Sequence, residues 1–328
     1  MTPKIRHATD EDKKMILDLL NKVFSSQQRS ENLRDDRYWK WKFIDSVFGD
    51  SILTVADVNG EIVGFDHLWP WEFCYGDQIV KAVQPCDAVV DEKYRGKGLF
   101  KRMRNFGLAQ AEKKGIQFAF NFPNMNSLPG NRSIGAKYLG KITWWVKILH
   151  PLNIVMGAVS DKKSKALDMP DHYTLKPDFL DELALSTRTE INSIQIHRKK
   201  RFHHWRYLEH PTRSYGMIRV KVKKKSTAII FTVNQKGSTR EMVVVDIVGD
   251  NIQKSEIVKY IVKAGRDVKA DFIAVIDNHE YRLENLWMNG FIKKKLKNMV
   301  VFPLNSKYAE LAGSYKNWTL MAGMHDSI

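Results

Sequence analysis

The segment Asp91-Glu92-Lys93-Tyr94-Arg95-Gly96-Lys97-Gly98-Leu99-Phe100-Lys101-Arg102 holds the residues whose types and spacing could do chemistry. It lies between an apolar run ending at Val90 and a helical pattern that begins at Leu99. Glycines let a backbone approach an anion closely, and the free amides and positive end of the following helix attract it. Lys93, Arg95, Lys97, Lys101 and Arg102 add charge at the same point, as a pyrophosphate would need. The spacing is neither that of a P-loop nor the three-glycine dinucleotide fingerprint, and a purely structural turn is the other reading of the same residues.

Positioning this loop falls to the elements around it. Lys4–Ala8 reads as a first strand, and Thr9 can cap a helix from Asp10 to Phe24 with Ile16, Leu19, Leu20 and Val23 on one stripe. An aromatic helix follows over Arg37–Ile44. Ser51–Val58 and Glu61–Trp71 are two strands joined by the hairpin signal Asn59-Gly60. Ile79–Val90 is a further extended run in which Pro85 predicts a bulge or an interrupted ladder. After the loop come a helix over Leu99–Lys114 ended by Gly115, a strand at Gln117–Phe120, a short helix near Asn131–Ala136 and a strand at Gly140–Leu149. Antiparallel strands followed by strand–loop–helix–strand give an α+β (α/β) layout with a crossover unit inside it.

The whole chain of 328 residues carries 53 Lys+Arg against 37 Asp+Glu, a formal charge of +16. Its 43% hydrophobic and 11% aromatic content supports real cores and excludes disorder as a description of the chain. No apolar stretch reaches the ~18–20 residues of a membrane span. The opening residues have no apolar signal region, which points to the cytoplasm. Cys74 and Cys86 are the two cysteines, too few for a disulfide scaffold or a cysteine zinc site. The excess charge concentrates beyond residue 150, in runs such as Arg198–Arg201, Lys223–Lys225 and Lys293–Lys295. They read as a solvated surface, or as attraction to a nucleotide-linked substrate, RNA or a membrane surface.

A second set of elements follows a junction at residues 151–176, which contains Pro151, Pro170 and a polar SDKKSK segment. Helices at Phe179–Thr189 and His197–Glu209 lead into strands near Ser214–Lys221, Ala228–Asn234 and Glu241–Val248. A helix at Ser255–Gly265, a strand at Phe272–Ile276, a short helix near Tyr281–Asn289 and a strand at Phe291–Phe302 complete the order. Trp41-Lys42-Phe43-Ile44-Asp45 and Trp205-Arg206-Tyr207-Leu208-Glu209 match type for type, the mark of an internal duplication. Between Val248 and the helix at Ser255 stands Gly249-Asp250-Asn251-Ile252-Gln253-Lys254, with no basic loop. Trp69, Trp71, Trp144, Trp145 and Trp205 are core residues or stacking platforms for sugars or bases. The tail Trp318–Asp326 either closes over a cleft or frays.

Over residues 3–148 the arrangement resembles the GNAT N-acyltransferase superfamily, whose signature [Q/R]-x-x-G-x-[G/A] follows the fourth strand. Arg95-x-x-Gly98 fits one register, with Phe100 where a small residue is usual; Gly96 and Gly98 fit the other, with Lys93 in place of Gln/Arg. The resemblance implies two tandem GNAT-like domains, each a mixed, mostly antiparallel sheet flanked by helices. Residues 1–150 would be the catalytic, acyl-CoA-binding domain, 151–176 a linker, and 177–328 a degenerate copy with an acceptor or interface role. It further implies that Arg95, Gly96, Lys97, Gly98, Leu99 and Phe100 wrap the pyrophosphate of acetyl-CoA, that Ala88, Val89 and Val90 pair with its pantetheine arm, and that Asn124 contacts it. A splay between the Ile79–Val90 and Gln117–Phe120 strands would admit the thioester to direct attack by an amine.

A primary amine must lose a proton first, a cost of roughly 4–5 kcal/mol at pH 7, so a general base is useful. The family sometimes places a carboxylate on the strand before the loop, which makes Asp87 the first candidate; Asp66 and His67 on the neighbouring strand are the next. Strand alternation turns only one of Asp66 and His67 to a given face. Where many members have a Tyr acid, this chain has Asn131. The expected activity is transfer of an acyl group, acetyl in the first instance, to a small anionic amine such as a nucleotide-linked amino sugar. Two other readings are a Fem-like, tRNA-dependent transferase or RNA-binding protein, and a catalytically silent acyl-CoA-binding member.

Overall fold

The computed structural model describes residues 2–26, 34–158, 164–186, 193–249, 254–277 and 286–326. In chain order these form β1 (Lys4–His7), α1 (Lys13–Ser26), α2 (Asp36–Trp39), β2 (Ile52–Val58), β3 (Glu61–Tyr75), β4 (Gln78–Val90) and α3 (Leu99–Lys113). β5 (Phe118–Asn121), α4 (Leu128–Ser133), β6 (Lys137–Ile148), α5 (Pro151–Ala158), β7 (Ser164–Ala166), α6 (Pro177–Ser186) and β8 (Gln195–Ile196) follow. The remainder is β9 (Tyr215–Val222), β10 (Lys225–Lys236), β11 (Thr239–Gly249), α7 (Lys254–Asp267), β12 (Phe272–Ile276), β13 (Ile292–Pro303) and α8 (Ser306–Ala312). Among the described residues no helix is long and apolar enough to cross a membrane.

The chain divides into two compact units. The first comprises Met1–Lys141, Ile191–His197 and Lys297–Asn317; the second comprises Ile142–Glu190, Arg198–Leu296 and Trp318–Ile328. The segment read from sequence as a linker thus groups with the second unit. It holds a helix, α5, opened by Pro151, a residue whose missing N–H costs nothing at a helix start.

In the first unit β1, β2, β3 and β4 are successive antiparallel neighbours, and the β2–β3 turn places Asn59 and Gly60 at φ of 52° and 87°, as the Asn-Gly signal requires. β5 runs parallel to β4, with α3 as the crossover, and its other edge takes Val300–Pro303 of β13 in antiparallel register. The sheet's two faces are covered differently. Leu68, Val83, Leu108, Ala111, Ala119, Val300 and Phe302 form one cluster beneath α3, and Leu99 and Met103 form a second with Ala56 and Val63. On the opposite face Trp41, Trp69, Trp71 and Phe73 pack ring against ring.

The second unit repeats this order. β9, β10 and β11 are antiparallel neighbours, α7 crosses to the parallel β12, and β12 takes the end of β6, Trp144–Ile148, on its other edge. β7 extends the β10 edge. The Trp41 and Trp205 segments both fold as five-residue π-helical turns, Lys40–Ile44 and His204–Leu208, each closed by an N–H bond of 2.8 Å from Asp45 or Glu209 to the carbonyl five residues back. Trp69, Trp71, Trp144, Trp145 and Trp205 are all buried, so they serve as core and not as stacking platforms. The tail is likewise buried at Trp318, Leu320 and Met324, and Arg206 clamps it through the carbonyls of Gly323 (2.9 Å) and His325 (3.0 Å). The helix expected over Phe179–Thr189 is α6, seen to Ser186; residues 187–189 lie outside the described residues, as do 250–253 of the Gly249 loop and 281–285 of the helix expected before Asn289.

Candidate functional site

β4 ends at Val90, and Asp91 starts the loop by accepting the Lys93 N–H (3.0 Å) while Lys22 of α1 binds its other oxygen at 2.6 Å. Gly96 and Gly98 stand at φ of 75° and 71°, and a Cβ on either would meet no atom within 4 Å. Conformation therefore demands glycine here, and the space left beside it is open. Gly249, at the equivalent strand end of the second unit, differs: a Cβ there would strike the Ser226 carbonyl at 2.5 Å. Residues Gly96–Gly98 are exposed, and among the described residues no carbonyl or side chain accepts from the N–H groups of Gly96, Lys97, Gly98, Leu99 or Phe100. The first intrahelical bond runs from Arg102 to Gly98. A run of undirected amides at the positive end of a 15-residue helix is a cradle for an anion.

The bulky Phe100, standing where a small residue is usual, is accommodated by a glycine. A Cβ on Gly130 of α4 would lie 3.2 Å from the Phe100 ring. The Arg104 guanidinium covers the same ring at 5.1 Å. Of the loop cations, Arg95 reaches back to the Val90 carbonyl (3.3 Å), Arg102 bonds the Pro3 carbonyl (2.8 Å), and Lys97 lies over the Tyr94 ring. Asn124 is exposed and its carboxamide oxygen accepts the Ser127 N–H at 2.9 Å, which sets the start of α4 at Leu128, three residues before the helix start expected from sequence.

Among the described residues no strand pairs with β4 on its β5 side beyond Val83. β4 pairs with β5 only at Ala82–Phe118 and Val83–Ala119, so Gln84–Val90 lies beyond that ladder, as the expected splay requires. Asp91 N–H bonds the Val63 carbonyl at 2.9 Å, which makes Val90–Gly64 a non-hydrogen-bonded pair and turns the Val90 amide away from β3. Val89 faces Phe65, Cys86 faces His67, and the two residues between them, Asp87 and Ala88, oppose Asp66 alone. This bulge, two residues after Pro85, holds Asp87 at φ of 50°. Aspartate is among the few residues that tolerate that region.

The three acid–base candidates separate. Asp66 turns towards α3 and is buried in a bidentate pair with Arg104, at 2.7 and 2.8 Å. Arg104 also reaches Asn131 (3.4 Å), whose amide donates to the Ser127 carbonyl. The position that carries a Tyr in many relatives is thus part of the packing under α3. Asp87 and His67 turn to the other face. Lys42, on the π-helical turn, approaches Asp87 to 2.6 Å; the Tyr38 hydroxyl stands at 3.1 Å and Arg34 at 3.3 Å. Burial alone would raise the Asp87 carboxyl, but Lys42, His67 and Arg34 together hold it well below the usual carboxylate range. Burial also lifts the Tyr38 phenol to about 12.

His67 is buried, with Nε2 3.0 Å from Ser51 Oγ and Nδ1 3.2 Å from Cys86 Sγ. Burial pushes its pKa down to about 4, so the ring is neutral at pH 7. His67, Cys86 and Asp87 offer ligand atoms within 4.8 Å of one another. With Lys42 and Arg34 already on the single carboxylate, a divalent ion there would meet one buried and one half-buried cation, and the donor set does not suit a metal. A titration follows from the ring. His67 binds its proton more readily unfolded (near 6.5) than folded, so its contribution is present above pH 6.5 and is lost as pH falls towards 4. Urea unfolding should show roughly 3 kcal/mol lost across that window, and His67→Phe should remove that slope; an unchanged slope would mean the ring is charged in the fold.

Sequence reasoning found the loop, the bulge and the three candidates, and missed Lys42, Tyr38, Arg34 and Arg104. One signal was present: Trp41-Lys42 recurs as Trp205-Arg206. In the second unit the bulged strand β11 carries a buried carboxylate, Asp246, three residues before its end, as Asp87 lies three before the end of β4. Asp246 is held by Arg198 (2.6 Å) and the Tyr207 hydroxyl (3.1 Å).

Residues 4–138 match the acetyltransferase (GNAT) domain family. No curated protein matches the chain in sequence. Among solved structures the chain is similar to a GCN5-related N-acetyltransferase from Anabaena variabilis, with TM-score 0.64, 15% identity, and 95% of this chain and 75% of that one covered. It is also similar to Saccharomyces cerevisiae N-myristoyltransferase with bound myristoyl-CoA (TM-score 0.54, 10% identity, 92% and 82% covered) and to Eis1 from Mycobacterium abscessus (0.54, 14%, 95% and 76%). At these identities the structural likeness speaks for the fold, and the family match speaks for the domain. Residues 4–138 are thus similar to acetyltransferase (GNAT) domains, and the chain shares the fold of solved GNAT N-acetyltransferases.

Proposed function

We propose that this protein transfers an acyl group from acyl-CoA, acetyl-CoA in the first instance, to a primary amine of a small anionic acceptor such as a nucleotide-linked amino sugar. The observation that carries this is the run of unpartnered amides from Gly96 to Phe100 at the start of α3, beside the stretch of β4 beyond its β5 ladder. Gly96, Lys97, Gly98, Leu99 and Phe100 would hold the pyrophosphate through their N–H groups, with Arg95 and Lys97 at its rim. Val90 and its neighbours Ala88 and Val89 would receive the pantetheine as an added strand, and the Asn124 amide nitrogen, facing solvent, suits a contact with the same arm. The residues fit the donor: a basic loop turned by two glycines, with open space beside each, leads to a splayed edge. The myristoyl-CoA of one structural neighbour is a long-chain version of the same donor class.

The bulge at Asp87-Ala88 would sit beside the thioester, and backbone amides there would polarise its carbonyl oxygen as charge develops. The amine nitrogen forms the C–N bond, the C–S bond breaks, and CoA leaves as a thiolate that takes up the proton lost by the amine. Holding the two reactants together supplies much of the rate. Asp66 is committed to Arg104, Asp87 is held weakly basic by Lys42, and buried His67, with its pKa near 4, is no better a base, so we assign Asp87 to positioning the bulge and leave proton removal to water. The similar order of elements in the second unit supports a duplicated chain whose second copy no longer binds the donor.

The test is a thermal-shift titration of the full chain with acetyl-CoA, in parallel with longer acyl-CoAs. Saturation at 100 times Kd should add about 2.7 kcal/mol of stability, and no shift with any acyl-CoA would sink the reading. A second reading, a member that binds the donor without transferring it, draws on Asn131 standing where relatives have a Tyr. Free-thiol release from acetyl-CoA with a panel of amines separates the two.

A further inference from the structure

The charge beyond residue 150 is not absorbed by the donor cradle, and part of it stands beside an exposed apolar strip of the second unit. Trp287 and Met288, on the 3-10 turn before β13, are 65% and 66% exposed, and Leu152 at the start of α5 is 77% exposed. Ile148, Ile292 and Leu296 are exposed as well. The end of β6 lies beside the start of β13. Lys147 Nζ bonds the Asn289 carbonyl and lies 5.8 Å from the Phe291 ring, and Lys293 Nζ stands 4.7 Å over the Trp145 ring. Ile292, Lys294 and Leu296 alternate to one face of the strand, Lys293 and Lys295 to the other. Among the described residues, Asp277 pairs with this charge, at 3.3 Å from Lys293.

We propose that this strip docks the protein on an anionic lipid bilayer surface. A solvated face has no use for an exposed Trp and Met, two Leu and two Ile beside lysines. An interfacial site does: the apolar side chains enter the headgroup boundary while long lysine stems reach the anionic headgroups. A second copy of the chain would bring like charges face to face, and RNA would use the lysines but leave the aliphatic side chains in water. Docking here is independent of the donor cradle, whose residues lie in the first unit.

Flotation of the full chain with vesicles of phosphatidylglycerol and phosphatidylcholine, against phosphatidylcholine alone, tests the proposal. Binding is expected only to the anionic vesicles. Lys293→Gln, Lys294→Gln and Lys295→Gln combined should weaken it roughly 100-fold, at about one lysine's electrostatic share each. Trp287→Ser with Met288→Ser should weaken it at least tenfold, and all five positions are exposed, so the fold should survive. Absent binding, equal binding to both vesicle types, or loss in the lysine variant without loss in the Trp287/Met288 variant would each overturn it. So would RNA retention by a chain that leaves vesicles unbound.

Discussion

Lys42→Met should cost the fold about 3–5 kcal/mol, read as a shift in the urea midpoint at unchanged slope. Lys42 Nζ is buried between Asp87 Oδ2 at 2.6 Å and the Tyr38 hydroxyl at 3.0 Å, and methionine fills the same volume without the charge. The carboxylate is then left in an apolar site with Arg34, at 3.3 Å, as the remaining cation among the described residues. Breaking a buried pair from one side leaves a desolvated charge behind, and that is what makes the single change so damaging. Removing both charges should be milder: Lys42→Met with Asp87→Asn keeps a side chain that accepts φ of 50° and takes the anion away. The double variant is expected to recover more than half of the loss, a coupling that a double-mutant cycle measures directly.

The pH dependence gives the same prediction a second handle. In the native protein the Asp87 pKa is depressed, so its contribution is present above the unfolded value near 3.9 and is lost as pH falls below it. In Lys42→Met burial is opposed by less positive charge, and the carboxyl rises; acidification then relieves the variant while it weakens the native fold. The gap between the two should narrow below pH 4. A gap of under 1 kcal/mol at pH 7, flat with pH, would show that Arg34 and Tyr38 suffice and that Lys42 is incidental.

Much of this site could be read from sequence because the relevant signals are local. The Asn59-Gly60 turn, the Pro85 irregularity and the glycines before Leu99 each act within a few residues, and the structure has a hairpin, a bulge and a left-handed turn at those places. What sequence could not supply was the identity of partners distant along the chain. Arg104 meets Asp66 across 38 residues and Lys42 meets Asp87 across 45; only the fold decides that these charges are shared and no longer available for acid–base work. The placement of Val300–Pro303 beside β5 is of the same kind, since any apolar strand would satisfy that edge by pattern alone. Helix α5 was missed for a different reason: a short apolar run behind a proline reads equally as a junction, and it takes packing to settle it.

Gly98→Glu should abolish acyl-CoA binding, weakening it by more than 100-fold, while leaving a folded protein. The φ of 71° at Gly98 costs any side chain on the order of 1–2 kcal/mol, which lowers the melting temperature by a few degrees. Space is no obstacle, because a Cβ meets nothing within 4 Å. The larger effect is electrostatic: the glutamate would hold a negative charge against the amides of Leu99 and Phe100, where the helix end otherwise favours an incoming anion. Gly98→Gln separates these contributions, since it has the same backbone strain and nearly the same volume without the charge. If the cradle binds pyrophosphate, Gln should lose far less affinity than Glu, and Asn, which tolerates the left-handed region, less still. Equal loss in Glu and Gln would mean that the backbone turn alone is at stake, and no loss in either would place the donor somewhere other than the start of α3.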